Sequence, residues 1–309
     1  MISLLRLRAR LAAQVLMTIG LPLCCAAAVA APAADDEVWK GINSSFNTPL
    51  TSFLDGTAEE SVSVRASFDL PLKPPSSSPV GSGRQGEPGS SPTVSVGFKY
   101  VPLTSWFLAM NFIKFVKPER QFAWHPDFTY AFGYDDWRPY TLSLQYANFG
   151  GNRLNPDKSR GEVRTRFSEG TWTLGFKFPM PSALEPYFLL QPDHAVGCNL
   201  GLNYTPRYAD AATNSTLSGK RTITLGCKYS LPNNWYATMA ATHYPNRGQQ
   251  QPWNGDFTYG FGYFDWRPGS WSIQYNNYSG NRFPWRDRVE GTGRLRDGSL
   301  SLSTSRNFL

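Results

Sequence analysis

Asp127-Phe-Thr-Tyr-Ala-Phe-Gly-Tyr-Asp-Asp-Trp-Arg-Pro139 returns later in the chain as Asp256-Phe-Thr-Tyr-Gly-Phe-Gly-Tyr-Phe-Asp-Trp-Arg-Pro268. The same shift of 129 residues aligns, without a gap, Thr93 with Thr222, Lys99 with Lys228, Trp106 with Trp235 and Asn152-Arg153 with Asn281-Arg282. Self-similarity at a fixed period marks a repeated unit, so the sequence reads as a tandem duplication.

Within the quoted stretch Phe128, Tyr130, Phe132 and Tyr134 alternate with Thr129, Ala131 and Gly133. A period of two is that of a strand. Similar alternation places strands near residues 62–71, 93–101, 106–116, 127–136, 140–149 and 171–179. The second copy places them near 195–205, 221–231, 235–244, 256–265, 270–278 and 298–308. The expected organisation is a first repeat over 61–180 and a second over 195–309.

The weaker face of these strands separates two architectures. A soluble sandwich turns a charged face to water, whereas a membrane barrel turns its large apolar residues to lipid and its small or polar ones to the lumen. Here the second face is small and mostly uncharged, as in Ser95, Gly97 and Thr141, Ser143, Gln145. Equivalent strands of a duplicated barrel must run the same way across the membrane, so each unit needs an even number. The expected fold is all-β: a transmembrane antiparallel barrel of about 12 strands.

Connection lengths assign the ends. Short links at Pro102–Ser105 and Asp136–Pro139, with counterparts at Pro232–Asn234 and Asp265–Pro268, are expected as periplasmic turns. The long stretches Lys73–Pro92, Lys117–Pro126 and Gly150–Gly170 are expected as extracellular loops, and Glu162–Phe167 as a hairpin extension above the membrane. Trp106, Trp137, Trp235 and Trp266 then fall at one interface and Trp124, Trp253 and Trp285 at the other, the pattern of aromatic belts.

Residues 1–30 read as a signal peptide: Arg6, Arg8 and Arg10, an apolar stretch from Leu11 to Leu23, and Ala28-Val29-Ala30 as the cleavage site. Its loss would take the net charge from +7 to +4, too modest for a nucleic-acid footprint. Residues 31–60 form an N-terminal segment with Trp39, Ile42, Phe46, Leu50 and Phe53 at roughly helical spacing. It would plug the lumen, dock a periplasmic partner or act as a tether. Cys198 and Cys227 match no metal or redox spacing and read first as small apolar side chains, with a disulfide as the alternative.

By its leader, alternating strands, loop pattern and aromatic C-terminal strand, the chain resembles Gram-negative outer-membrane β-barrel proteins over residues 62–309. Leu300, Leu302 and Phe308 share one register, although Leu309 follows the Phe. The resemblance implies an outer-membrane location with both termini periplasmic, contact with outer-membrane lipid and lipopolysaccharide, and recognition by the assembly machinery. Small 12-stranded porins for acidic oligosaccharides are the nearest analogy.

Function is expected from the inward positions. Arg65, Lys99, Lys177 and Lys228 fall on the lumen register, with Asp69 and Asp135 as the few inward acids, and would concentrate anions. Phe107, Tyr236, Phe149 and Tyr278 would either stack on sugar rings or fill a narrow barrel. Arg153, Arg164, Arg166, Arg282, Arg286 and Arg288 place positive charge at the extracellular mouth. They would bind solute, meet lipopolysaccharide phosphates, or pair with Glu162, Glu169, Asp287 and Glu290. The repeated Asp-Trp-Arg-Pro reads as a structural turn closed by an Asp–Arg pair.

No catalytic or metal motif accompanies His125, His194 and His243, so neither an enzyme nor a cofactor is expected. The favoured function is a channel for anionic or saccharide solutes, in uptake or polysaccharide export. The alternative is a non-conducting barrel that anchors a surface or envelope-spanning assembly.

Overall fold

The computed structural model describes residues 61–72, 91–103, 105–121, 125–136, 138–157, 166–188, 191, 193–209, 215–251, 254–265, 267–277, 281–286 and 294–308. The leader, the segment before residue 61 and most of Glu162–Phe167 lie outside these.

Among the described residues twelve strands follow in chain order: β1 (Ser61–Pro71), β2 (Thr93–Leu103), β3 (Trp106–Phe115), β4 (Phe128–Asp135), β5 (Leu142–Asn148), β6 (Thr171–Pro179), β7 (Ala195–Ala209), β8 (Thr216–Ser230), β9 (Trp235–His243), β10 (Phe257–Tyr263), β11 (Trp271–Asn277) and β12 (Ser299–Phe308). Each pairs antiparallel with its chain neighbours, and β1 pairs with β12 from Val62↔Phe308 to Pro71↔Ser299, closing the sheet. Closure leaves no edge strand with unpaired backbone groups, a requirement for strands in hydrocarbon.

The alternation sorts side chains the opposite way from a soluble protein. Outward residues such as Val94, Val96, Phe98 and Tyr100 on β2, and Trp106, Leu108, Met110 and Phe112 on β3, are exposed. Inward residues such as Ser63, Ser95, Asn111, Thr129, Ser143, Gln274 and Ser303 are buried. A continuous apolar exterior of this kind is suited to lipid. Trp106 and Trp235 begin β3 and β9 at the short-turn end, each packed edge-on against a tyrosine, Tyr134 at 5.6 Å and Tyr263 at 5.9 Å. Trp285 is exposed at the long-loop end; Trp124, Trp137, Trp253 and Trp266 lie outside the described residues.

Two expectations are corrected. Cys198 and Cys227 face each other across β7 and β8 on the outward register and form a disulfide, with Cα atoms 4.1 Å apart. Spacing in sequence carried no sign of this because the 29-residue separation is set by strand register. β7 and β8 are also longer than their apolar alternation suggests, pairing on through Thr205↔Lys220 to Ala209↔Thr216. Backbone ladders need no apolar side chains, so hydropathy marks only the part of a strand that meets lipid.

Candidate functional site: the lumen and its two ends

The inner wall has two chemical sectors. On the β3–β5 side Phe107, Ala109 and Ala131 are buried with Val101, and Ala147 and Phe149 pack against them. Tyr236, at the position on β9 that corresponds to Phe107 on β3, is also buried inward. Tyr278 lies outside the described residues.

From β6 to β9 the wall is a belt of hydroxyl and amide groups. Thr171 meets Thr205 at 2.7 Å, Thr173 donates to Asn203 Oδ1 at 2.8 Å, and Asn203 Nδ2 reaches Thr222 at 3.2 Å and Thr224 at 3.1 Å. Across the β1–β2 seam Ser67 and Ser95 meet at 2.7 Å. This belt was not singled out from the sequence, although Thr173, Asn203, Thr222 and Thr224 all have inward parity.

The four basic residues expected in the lumen are all inward and buried. Arg65 Nη2 donates to Ser303 Oγ at 2.7 Å. Lys99 stands opposite Ser63 while Arg65 stands opposite Gly97, which sets the two cations diagonally on neighbouring strands. Lys177 Nζ donates to Asp135 Oδ1 and to the Asp136 carbonyl, each at 2.6 Å. Lys228 Nζ lies 4.7 Å from the Tyr236 ring centroid and 6.0 Å from that of Phe264. All four lie in the half of the barrel nearer the short turns, as their places near the start of β1 and the ends of β2, β6 and β8 require. Asp69 lies further along β1 toward the long loops and accepts from Ser67 at 3.3 Å.

At the long-loop end the arginines are tied down. Arg153 is buried and donates to Asp127 Oδ1 at 3.0 Å; the same carboxylate accepts from Gln121 Nε2 at 2.8 Å and the Leu154 N–H at 3.1 Å. Asp256, fully buried, accepts from Gln250 Nε2 at 2.8 Å and the Phe283 N–H at 3.1 Å, bonds Arg286, and lies 3.6 Å from Arg282. Arg282 also donates to the Gln251 carbonyl at 3.1 Å. Among the described residues the acids that hold these arginines are Asp127 and Asp256; of the acids the sequence pointed to, Glu162, Asp287 and Glu290 lie outside the described residues. Arg166 is exposed, and Glu169 accepts its backbone N–H at 3.1 Å. Arg164 and Arg288 lie outside the described residues.

At the other end the repeated turns close as expected. Arg138 Nε donates to Asp136 Oδ1 at 3.0 Å and Arg267 Nε to Asp265 Oδ1 at 2.9 Å, with the backbone N–H of each arginine on the same oxygen. The hydrogen bond from Arg267, against the opposing effect of burial, holds the Asp265 pKa at about 2.

The three histidines lie apart in the fold. His125 stacks on Phe115 at 5.0 Å, His194 bonds Tyr229, and His243 points outward from the end of β9. Burial, reinforced by Arg153, pushes the His125 pKa down to about 4. Because its unfolded value is about 6.5, the stability it contributes is complete above that pH and is lost as pH falls through about 4. Asp265 follows the same sign lower down, complete above an unfolded value of about 4 and lost as pH falls through about 2. Acidification from pH 7 to 4 should therefore loosen the β3–β4 connection before the short turns. Limited proteolysis across that range should show it, and His125→Phe should remove the effect; an unchanged digestion pattern would contradict the assignment.

A closed, even-stranded antiparallel barrel with an apolar exterior, a polar interior, short turns at one end and long loops at the other has the architecture of outer-membrane-type β-barrels. No protein-family model and no curated protein sequence matches the chain. Among solved structures it is similar to the NanC porin, at 9% identity and a TM-score of 0.36 over 80% of this chain and 100% of that one. It is also similar to an outer-membrane channel from Pseudomonas putida F1, at 11% identity and a TM-score of 0.38 over 82% and 97% of the respective chains. A porin of Rhodopseudomonas blastica in triple-mutant form aligns at 11% identity and a TM-score of 0.27, over 70% of this chain and 55% of that one.

Proposed function

We propose that the protein is an outer-membrane channel that passes anionic or saccharide solutes. The observation that carries this reading is the set of four inward cations, Arg65, Lys99, Lys177 and Lys228, in a wall otherwise made largely of hydroxyl, amide and small side chains. Fixed charge inside a low-dielectric wall raises the local concentration of counter-ions and selects the sign of the permeating ion. The hydroxyl and amide belt offers donors and acceptors to a polyhydroxylated solute, and the Phe107 and Phe149 sector offers an apolar face.

The same reading puts the short turns and both termini in the periplasm, with residues 1–30 as the removed leader and 31–60 as a segment that plugs the lumen or docks a periplasmic partner. Lipopolysaccharide and the assembly machinery are the further partners it implies. Recurrent bonding supports descent from a duplicated six-strand unit: Asp136–Arg138 with Asp265–Arg267, Gln121–Asp127 with Gln250–Asp256, and Tyr146–Phe167 with Tyr275–Leu295.

The test is single-channel conductance in planar bilayers with the reversal potential read under a salt gradient. The protein should conduct with anion preference, and Lys99→Glu combined with Lys228→Glu should shift the reversal potential toward cations. An unchanged reversal potential would remove the charged lumen from the mechanism, and a folded but silent barrel would reject the channel.

A further inference from the structure

The chain enters the barrel at Ser61, the first residue of β1, which lies at the short-turn end on the inward register of Ser63 and Arg65. Ser61 is buried, and its hydroxyl has no hydrogen-bond partner among the described residues. Near it the inner wall joins two chemistries. Lys99 on β2 stands opposite Ala109 on β3, and Ala109 opposite Ala131 on β4. Val101, Phe107, Ala109 and Ala131 pack as one buried apolar patch. Arg65 and Lys99 border it on the β1–β2 side, and Lys228 on β8 lies on the opposite side of the closed sheet.

The acids of this half are engaged or placed elsewhere. Asp135 holds Lys177, Asp136 holds Arg138 and Asp265 holds Arg267. Glu185 and Asp193 are exposed on the link between β6 and β7, and Asp69 lies further along β1 toward the long loops. The remaining cation, Arg306, is opposite Val64 on the outward register, over the Phe308 ring. Among the described residues the inner wall of this half therefore carries net positive charge beside an apolar patch.

The sequence that leads into Ser61 has the complementary composition. Residues 36–60 hold five carboxylates, Asp36, Glu37, Asp55, Glu59 and Glu60, against Lys40 alone. Trp39, Ile42, Phe46, Leu50 and Phe53 lie between the two acidic ends. A sheet of this strand number, tilted about 40°, closes to a backbone diameter of about 25 Å. These 25 residues reach about 38 Å even as a helix, so every cation of this half is within reach of Ser61. Tethering presents their carboxylates to the wall at an effective concentration of about millimolar, which a dissolved anion must match to compete.

We propose that residues 36–60 seat in the short-turn half of the lumen, their apolar residues on Val101, Phe107, Ala109 and Ala131 and their carboxylates on Arg65, Lys99 and Lys228. The chain then carries its own inhibitor, which an anionic solute must displace. The inhibition rests on the channel reading above; the seating does not.

A carbodiimide joins a carboxylate and an amine in contact as an amide, itself taking up the water as a urea. Applied to the full-length protein in non-ionic micelles and followed by peptide mapping, it should link Asp55, Glu59 or Glu60 to Lys99 or Lys228. Lys177–Asp135, already in contact at 2.6 Å, is the internal control, and Lys114 at the long-loop end of β3 should gain no link to the segment. The control link without either of the others overturns the seating, and so does linkage to Lys114 at equal yield. In planar bilayers the combined variant Asp55→Asn, Glu59→Gln, Glu60→Gln should raise the open fraction severalfold at about 0.1 M salt. The gain should shrink at about 1 M, where the Debye length falls from about 10 to about 3 Å. Cross-links with equal conductance of parent and variant overturn the inhibition. Cross-links in a barrel that stays silent in both reject the channel reading and uphold the seating, as a permanent filling of the lumen.

Discussion

Gly133→Ala and Gly262→Ala are expected to abolish most of the heat-resistant folded form, singly and more so together. A methyl group on Gly133 would overlap the Leu144 carbonyl oxygen and lie 2.8 Å from Gln145 Cα; on Gly262 it would overlap the Ile273 carbonyl oxygen and lie 2.8 Å from Gln274 Cα. The obstructing atoms are backbone of the paired strand, in the ladders Gly133↔Gln145 and Gly262↔Gln274. They cannot rotate aside as a side chain can. Moving them means parting β4 from β5, or β10 from β11, and losing ladder hydrogen bonds. The cost should therefore reach or exceed the upper end of ordinary overpacking, about 3 kcal/mol. Gly150→Ala is the control, because a methyl group there meets nothing within 4 Å. Electrophoretic heat-modifiability and urea unfolding in micelles would measure the effect. Variants at Gly133 and Gly262 that unfold within about 0.5 kcal/mol of the parent would refute the close approach.

Asp256→Ala should release the loops that join β9 to β10 and β11 to β12 while leaving the strands paired. The carboxylate is fully buried and stands among two guanidinium groups, an amide and a backbone N–H. Removing one partner of a buried ion pair strands the other charge, at a cost of about 3–5 kcal/mol. Asp127→Ala should cost less, because that side chain is 25% exposed and holds one arginine, Arg153. Asp256→Asn keeps an acceptor for the Phe283 N–H and should fall between. Protease cleavage within the loops each carboxylate ties, β3–β4 and β5–β6 for Asp127 and β9–β10 and β11–β12 for Asp256, should accelerate in the order Asp127→Ala, Asp256→Asn, Asp256→Ala, with heat-modifiability of the barrel preserved. Equal resistance of Asp256→Ala and the parent would show that the ion pairs do not hold the loops.

The alternation of Phe128, Tyr130, Phe132 and Tyr134 with Thr129, Ala131 and Gly133 was sufficient to orient β4, and the same parity placed Arg65, Lys99, Lys177 and Lys228 on the inner wall. Period two is a property of the extended backbone itself, so a residue's face follows from its number once one neighbour is assigned. The repeated Asp-Trp-Arg-Pro turn was legible for a related reason, since its partners are two residues apart. The pairing of Lys177 with Asp135, 42 residues apart, and of Asp256 with Arg286, 30 residues apart, was not.

What the chain determines locally is therefore the existence of twelve alternating strands, which face of each meets lipid, the short turns between them, and the excess of basic over acidic side chains directed inward. The tertiary structure alone decided the register in which β12 pairs with β1, the Cys198–Cys227 bond, the engagement of the loop arginines by Asp127 and Asp256, and the folding of Arg166 and Arg294 back over the outer wall. The physical reason is that these depend on register between strands and on the path of long loops. Register is set cooperatively by hydrogen-bonded ladders around the whole barrel, and nothing within a single strand encodes which residue of a neighbour it will face.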